Sequence, residues 1–357
     1  MNTQTQKDVA VYIGRFQPFH NGHLALLNHA LATAEQVIVV IGSAHQARTP
    51  KNPFTWKERA DMVKLALPEV DRARITFLSL RDFYNEDRWL QAVRSGVENI
   101  ARERTGQERF DVALIGHFKD ATSDYLKKFE GWELVSVDRN GPVDATHIRD
   151  AYFGNAAEGL TPTLAALSSV APQTTLDFLL AWAALPFHAQ LAWEWEMLKK
   201  YKEAWSTAPY PPVFVTVDAV VQCAGKVLLI QRGQPPGVGL YAVPGGFIEQ
   251  RETAYQSAVR ELREETRLSL LASTMKAALK SSAVFDHPDR SLRGRTITHA
   301  FHFDLGERAL PEIEAADDAQ SAEWIDIDQL TSMEDRFHDD HFTMLDHFLG
   351  LATHGPH

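Results

Sequence analysis

Apolar and polar residues along this chain follow two rhythms in turn. Residues 9–14, VAVYIG, read as a short buried strand, and they run straight into RFQPFHNGH. The next stretch, LALLNHALATA, has its apolar residues at helical spacing. Further strand-like runs fall at Gln36–Gly42, Ile75–Leu80, Asp111–Gly116 and Trp132–Val137. Helical patterns such as Trp56–Ala66 and Arg88–Arg104 separate them. Strands alternating with helices predict an α/β fold with an open, mostly parallel, doubly wound sheet. In such a sheet the ligand lies beyond the carboxyl ends of the strands. Gly14, Gly42 and Gly116 all fall at such ends.

The pattern changes after residue 155. Residues 156–210 carry TTLDFLLAWAALPFHAQLAWEWEMLKKYKEAW, apolar at helical spacing and rich in tryptophan, with Pro186 placed to break it into two helices. Such aromatic density points to packing against a domain or against a second chain of a homo-oligomer. STAPYPP, 206–212, reads as a hinge. Beyond it VFVTVDAVVQ and KVLLIQR read as strands around a turn at Ala224-Gly225. Later strands are expected at Ser281–Phe285, Arg295–Asp304 and Ala322–Ile327, giving a mixed sheet with helices on its faces. The expected organisation is therefore a first domain at 1–155, a helical linker at 156–210 and a second domain at 211–357.

Composition narrows the picture. The 357 residues, 45% hydrophobic and 23% charged, suit two soluble domains. A net charge of −11 without a basic cluster argues against sequence-independent nucleic-acid binding. The single cysteine, Cys223, rules out an internal disulfide framework and reads as a buried apolar residue. No apolar signal segment opens the chain, and its longest greasy run, Phe178–Phe187, is too short to span a bilayer. A cytoplasmic protein with small-molecule substrates, and no membrane partner, is expected.

Two stretches carry chemistry. His20-Asn21-Gly22-His23 stands at a strand-to-helix turn, where two histidines and a helix N-terminus can donate to phosphate oxygens. Gly22 leaves room for a nucleotide near the backbone. The second stretch is Gly246–Leu268, GFIEQRETAYQSAVRELREETRL. Thr253 and Gln256 have capping-box spacing, so a helix starts there. Glu261, Glu264 and Glu265 then share one face, with Arg260 able to pair with Glu264. Clustered carboxylates suit a hard divalent cation, and Mg²⁺ is the usual one when the substrate brings phosphates.

The spacing of Gly246, Glu252, Arg260, Glu261, Leu262, Glu264, Glu265 and Leu268 resembles the Nudix box, over roughly residues 209–357. One position departs: Arg267 stands where the family has a helix-ending glycine. The resemblance implies an α/β/α sandwich, a Mg²⁺-dependent pyrophosphohydrolase (Mn²⁺ can substitute), and metal ligands Glu261, Glu264 and Glu265 with Glu249 beside them. FDHPDRSLRGRTITHAF, 285–301, is similar to ADP-ribose-type members, which would put Arg290, Arg293 and Arg295 near phosphate or ribose.

The first half resembles the nucleotidyltransferase superfamily, and within it the archaeal-type nicotinamide mononucleotide (NMN) adenylyltransferases. The resemblance rests on GRFQPFHNGH (14–23), GSAHQARTPKNPFTWKER (42–59), GHFKD (116–120) and DATHIRDAYF (144–153). It implies a Rossmann-like domain that transfers adenylyl from ATP. The implied catalytic pair is His20 and His23. Gly14, Arg15, Phe16, Gly22, Arg48, Lys119, Asp120, Thr146 and Arg149 would bind the nucleotide, and Asn85 and Trp89 the nicotinamide. Val143-Asp144-Ala145 replaces the family's serine-rich lead-in to the second signature. Together the resemblances imply a bifunctional enzyme of NAD metabolism. An ADP-ribose-sensing regulator, or adenylyl transfer to another phosphate acceptor, stays open on the residues alone.

Overall fold

The computed structural model describes residues 6–117, 121–137, 144–154 and 159–351, with the backbone alone at 121–124. The chain forms two compact units that divide between Trp193 and Glu194. Among the described residues no helix is long and apolar enough to cross a membrane.

The first unit runs β1 (Lys7–Gly14), α1 (Asn21–Thr33), β2 (Ala34–Ile41), α2 (Trp56–Leu65), the single turn α3 (Glu69–Arg72), β3 (Ile75–Ser79), α4 (Glu86–Thr105), β4 (Val112–Gly116), β5 (Glu133–Ser136), α5 (Ala145–Gly154), α6 (Leu160–Ala166) and α7 (Gln173–Trp182). The sheet order is β3-β2-β1-β4-β5, and every neighbouring pair is parallel. A sheet buried on both faces needs unbroken apolar strands. Val9, Ala10, Val11 and Val112–Ile115 meet that need at 5% exposure or less. Val93, Val97 and Ala101 of α4 close one face over Val9, Val11 and Leu114. The winding reverses between β1 and β4, so a crevice opens beyond Gly14 and Gly116.

Much of the stretch expected as a linker packs inside this unit. The Tyr152 hydroxyl of α5 donates to the Leu179 carbonyl of α7 (2.7 Å), and the Trp182 indole donates to Glu58 of α2 (3.0 Å). Pro186 opens α8 (Pro186–Ala204), as a proline without a donor N–H can at a helix start.

The second unit contains β6 (Val213–Cys223), β7 (Lys226–Arg232), β8 (Tyr241–Ala242), β9 (Gly245–Phe247), α9 (Ala254–Thr266), α10 (Ala272–Ala278), β10 (Leu279–Phe285), β11 (Arg295–Asp304), β12 (Ala319–Asp326) and α11 (His341–Leu349). The order is β10-β11-β6-β7-β12, with β8 on β7 and β9 on β6. β11 and β6 are parallel and the other pairs antiparallel, so the sheet is mixed. Alternation along the strands feeds two cores. Ala219, Val221 and Leu228 pack with Leu262 and Met275 on one face. Val220, Val227 and Leu229 pack with Met344 and Leu345 on the other. The result is the expected α/β/α sandwich, and Cys223 is buried in it.

Candidate active sites

At the mouth of the first crevice, α1 is capped by its own histidines. His20 is the N-cap, and its Nδ1 accepts from the Gly22 N–H (3.1 Å). His23, three residues on, returns the favour: its Nδ1 accepts from the His20 N–H (3.3 Å). The two rings stack with centroids 3.6 Å apart. A nitrogen that accepts carries no proton, so each neutral ring bears its proton on Nε2. Burial, with His20 and His117 close by, holds the His23 pKa well below the usual histidine value, so His23 is a neutral donor. A Cβ on Gly22 would fall 3.0 Å from the His20 Cε1, so this glycine makes room for the ring.

The histidines line a cleft of about 260 Å³ together with Arg15, Phe16, Lys51, Thr146 and Arg149. Arg149 donates to the Gln17 carbonyl (2.6 Å) and to Thr146 Oγ1 (3.1 Å). Burial and the neighbouring Arg15 lower its pKa to about 10, which leaves it charged at neutral pH. Phe16 holds a left-handed backbone (φ 53°), and its ring lies over Gly14, where a Cβ would fall 2.7 Å from Cζ. Asp144 caps α5 by accepting from the His147 N–H (3.0 Å).

Other expected residues stand elsewhere. Arg48 does not line this cleft. Glu58 takes it in a two-pronged ion pair (2.6 and 2.9 Å), and its guanidinium lies 4.5 Å from the Phe187 ring centre. Asn85 caps α4, its Oδ1 accepting from the Arg88 N–H (2.9 Å). Trp89 is half-buried, edge-on to Tyr125 at 5.1 Å, and packs against the core. Neither of these two lines the cleft. Lys119 and Asp120 lie outside the described residues.

Two residues escaped the sequence reading. Lys51 lines the cleft where Arg48 was expected. Arg59, fully buried, donates to the carbonyls of Arg15 (2.6 Å), Gly42 (2.8 Å) and Ser43 (3.0 Å), tying the loops after β1 and β2 together. An arginine on an amphipathic helix reads as surface, so periodicity hides it.

In the second unit the predicted helix is present with its caps. Thr253 Oγ1 accepts from the Gln256 N–H (3.3 Å), and Gln256 Oε1 accepts from the Thr253 N–H (2.9 Å). Arg260 is the hub. It donates to Glu252 (2.9 Å), Glu261 (2.9 Å), Glu264 (2.8 Å) and the Phe247 carbonyl (3.2 Å). Glu252 is itself steadied by Ser257 Oγ (2.7 Å). A Cβ on Gly246 would fall 2.5 Å from the Glu261 carboxyl, which is why this position is glycine. Glu265 is buried and accepts from the Gly245 N–H (2.9 Å). Burial pushes its pKa up to about 8 and also raises that of Glu261. Glu249 is exposed, its N–H donating to Ser257 Oγ (3.3 Å).

Among the described residues no three His, Cys, Asp or Glu side chains converge closely enough to hold a metal ion. Arg260 draws Glu261 and Glu264 to itself, and Glu265 turns to Gly245. The donor set nonetheless fits a hard divalent cation: all oxygen, on one helix face, with two acids whose raised proton affinity a cation would relieve.

Behind these glutamates lies a buried charged group that the motifs did not announce. Arg290 is locked to Asp340 in a two-pronged pair (2.9 and 2.7 Å), so it is not presented as a phosphate ligand. Arg295 donates to the Asp286 carbonyl. Asp218 of β6 accepts from Thr298, and burial raises its pKa to about 6. His338 and His341 are buried and held neutral, first by desolvation. The signal available was the density of acids and histidines in RFHDDH, 336–341.

Comparison with known proteins matches these two units separately and then together. A cytidylyltransferase-like family model matches residues 11–152, and the NUDIX domain model matches 212–348. A nicotinamide/nicotinic acid mononucleotide adenylyltransferase of Acinetobacter baylyi is 37% identical over 185 residues, 52% of this chain and 91% of its own. An ADP-ribose pyrophosphatase of Methanocaldococcus jannaschii is 37% identical over 136 residues, 38% of this chain and 72% of its own. A crystal structure of a bifunctional NMN adenylyltransferase/ADP-ribose pyrophosphatase from Francisella tularensis superposes with a TM-score of 0.86 at 33% identity, covering 97% of this chain and 99% of that one. A second structure of that protein holds AMP and a manganese ion. With both units and their order matched, the chain belongs to the family of bifunctional NMN adenylyltransferase/ADP-ribose pyrophosphatases.

Proposed function

We propose that the first unit joins ATP to NMN, giving NAD and pyrophosphate, and that the second hydrolyses ADP-ribose to AMP and ribose 5-phosphate. In the first reaction an NMN phosphate oxygen attacks the α-phosphorus, and the bond to the bridging oxygen of pyrophosphate breaks. Such a step needs in-line placement and donors aimed at spreading negative charge. The observation that carries this reading is the reciprocal histidine cap, which leaves the Nε2–H groups of His20 and His23 as neutral donors beside Arg15, Lys51 and Arg149. Neutral donors strengthen toward the transition state without binding the ground-state triphosphate too firmly. Arg59 acts through the loop ends it ties, as a positioning residue.

In the second reaction Glu261, Glu264 and Glu265 would hold the divalent cation, Mg²⁺ by preference, and Arg260 holds two of them in place. The cation, when bound, supplies Lewis acidity at the diphosphate and eases deprotonation of the attacking water. A regulator that only senses ADP-ribose has no need of this carboxylate set, which favours hydrolysis.

The test is direct. The purified chain is given ATP, Mg²⁺ and, in turn, NMN, its acid form and pantetheine phosphate, with pyrophosphate release followed. ADP-ribose and other nucleoside diphosphate derivatives are offered in parallel. Turnover of pantetheine phosphate at the rate of NMN would overturn the first assignment, and an inert ADP-ribose would overturn the second.

A further inference from the structure

Asn21 stands between the two histidines of the first unit, yet it does not line their cleft. It faces the turn between α6 and α7 instead. Its N–H donates to the Val170 carbonyl (3.0 Å), and its Nδ2 donates to the Ser169 carbonyl (3.1 Å). The backbone bond gives a partner to a first-turn amide that no carbonyl within the helix can serve. The receiving turn is itself held. The N–H groups of Val170 and Ala171 both donate to the Leu167 carbonyl (3.0 and 3.1 Å), and Leu167 and Ala171 are buried. Behind it α7 is fastened through Tyr152 and Trp182. This turn lies in the stretch expected as a linker, outside every motif of the first resemblance. The near end of the same active-site loop is pinned separately, where the Gln17 amide exchanges two bonds with the Phe54 backbone (2.9 and 3.0 Å).

We propose that Asn21 and the turn at 167–171 position the histidine pair, so that the helices after residue 160 are a working part of the adenylyl-transfer site. The reciprocal cap fixes the two rings to each other. It does not fix the pair relative to Arg15 and Arg149, which come from other segments of the cleft. The two Asn21 bonds do so, tethering the first residue of α1 to carbonyls almost 150 residues away in sequence. An in-line displacement tolerates little error in donor placement, and a shift of about 1 Å can cost roughly a hundredfold in rate. Asn21 is therefore a positioning residue that acts through His20 and His23 and supplies no group to the reaction. A residue that merely braced the helix would change the melting midpoint and leave kcat alone.

The proposal rests on the adenylyltransferase reading above, and the experiment separates the two. In the full chain Asn21→Ala should lower kcat for NAD synthesis by about tenfold, with KM for ATP and for NMN held within about twofold. A glycine inserted between Ser169 and Val170 carries both carbonyls away and should cost about a hundredfold. In that background Asn21→Ala should add less than about twofold, because residues that act through one contact are not additive. Losses that add in full, or a lowered midpoint with a normal kcat, would reduce Asn21 to a brace and overturn the proposal. Should the insertion unfold the first unit, Asn21→Ala decides alone through the split between kcat and KM. A second arm needs no turnover. Amide exchange over residues 19–27, followed by mass spectrometry, should be at least about tenfold faster in the insertion variant than in the unaltered chain. Equal exchange overturns the tether even if NAD is made at the normal rate. Faster exchange in a chain that makes no NAD would sink the adenylyltransferase reading and keep the tether.

Discussion

The two sites meet the same problem, a polyphosphate, with opposite charge. The first gathers cations and neutral donors from four separated segments: Arg15 to His23, Lys51, His117 and Thr146 to Arg149. The second sets carboxylates within twenty residues of one another and lets a single arginine hold them. Donors suit a triphosphate that must be gripped and split in line, whereas carboxylates suit one handled through a cation. The contrast is also one of construction. A site on one helix is fixed by spacing, and a site at strand ends exists only once the parallel sheet has closed.

The sharpest way to break the comparison is to disable one site and watch the other. Glu264→Gln keeps volume and its bond to Arg260 but loses a ligand charge. ADP-ribose hydrolysis should fall by about three orders of magnitude, while NAD synthesis on the same preparation is unchanged. If synthesis falls as well with an unaltered melting temperature, the sites are not independent. The reciprocal change is His23→Ala, which should lower kcat for NAD synthesis by about two to three orders of magnitude and leave hydrolysis alone. It also opens half of the cap on α1, a loss of about 1 kcal/mol. A variant that still synthesises NAD at the normal rate would remove His23 from the transition state.

How far each site could be read beforehand follows from the same difference. Glu261, Glu264 and Glu265 were legible because helical spacing puts them on one face, and Glu252 and Arg260 because their spacing resembles the Nudix box; the structure adds which oxygen meets which nitrogen. The strands were equally legible, since a buried parallel sheet needs unbroken apolar runs. Arg48 shows the limit. It shares a loop with Lys51, and nothing in the sequence says which of two cations three residues apart turns to the cleft; the Glu58 pair and the Phe187 ring decide it. Arg59 and Asp218 are charged residues whose burial depends on carbonyls and strands distant in sequence, so no local pattern exposes them.

The buried acid of the second site sharpens the comparison through pH. With a folded-state pKa near 8 against 4.5 unfolded, Glu265 keeps a proton that the unfolded chain has released. Its contribution to stability is therefore lost as pH rises toward 8. Asp218 and Asp339, raised to about 6, act the same way lower down, and the depressed His338 and His341 act oppositely below 6.5. From pH 6.5 to 8 Glu265 is left. The metal-free chain should melt lower at pH 8 than at 6.5, Mn²⁺ should raise the midpoint more at pH 8, and Glu265→Gln should flatten both trends. A slope that persists in Glu265→Gln would assign the proton elsewhere.

The smallest effect comes from the one departure in the second motif. α9 ends with Arg267 in the left-handed conformation (φ 53°), its N–H donating to the Arg263 carbonyl (3.0 Å). The helix stops where a glycine would stop it, so the local path survives the substitution and the residue bears the strain. That conformation costs an L-residue about 1–2 kcal/mol. Arg267→Gly would remove this cost, but it gives back up to ~1 kcal/mol in unfolded-chain entropy and a few tenths for the lost cation at the helix end. The net gain should be about 0.5 kcal/mol, a rise of roughly 1–2 °C in the melting midpoint of the second unit. Arg267 is exposed and touches none of the glutamates through the bonds described, so ADP-ribose kinetics should not change. A fall in the midpoint would mean that the arginine side chain contributes more at this helix end than its backbone costs.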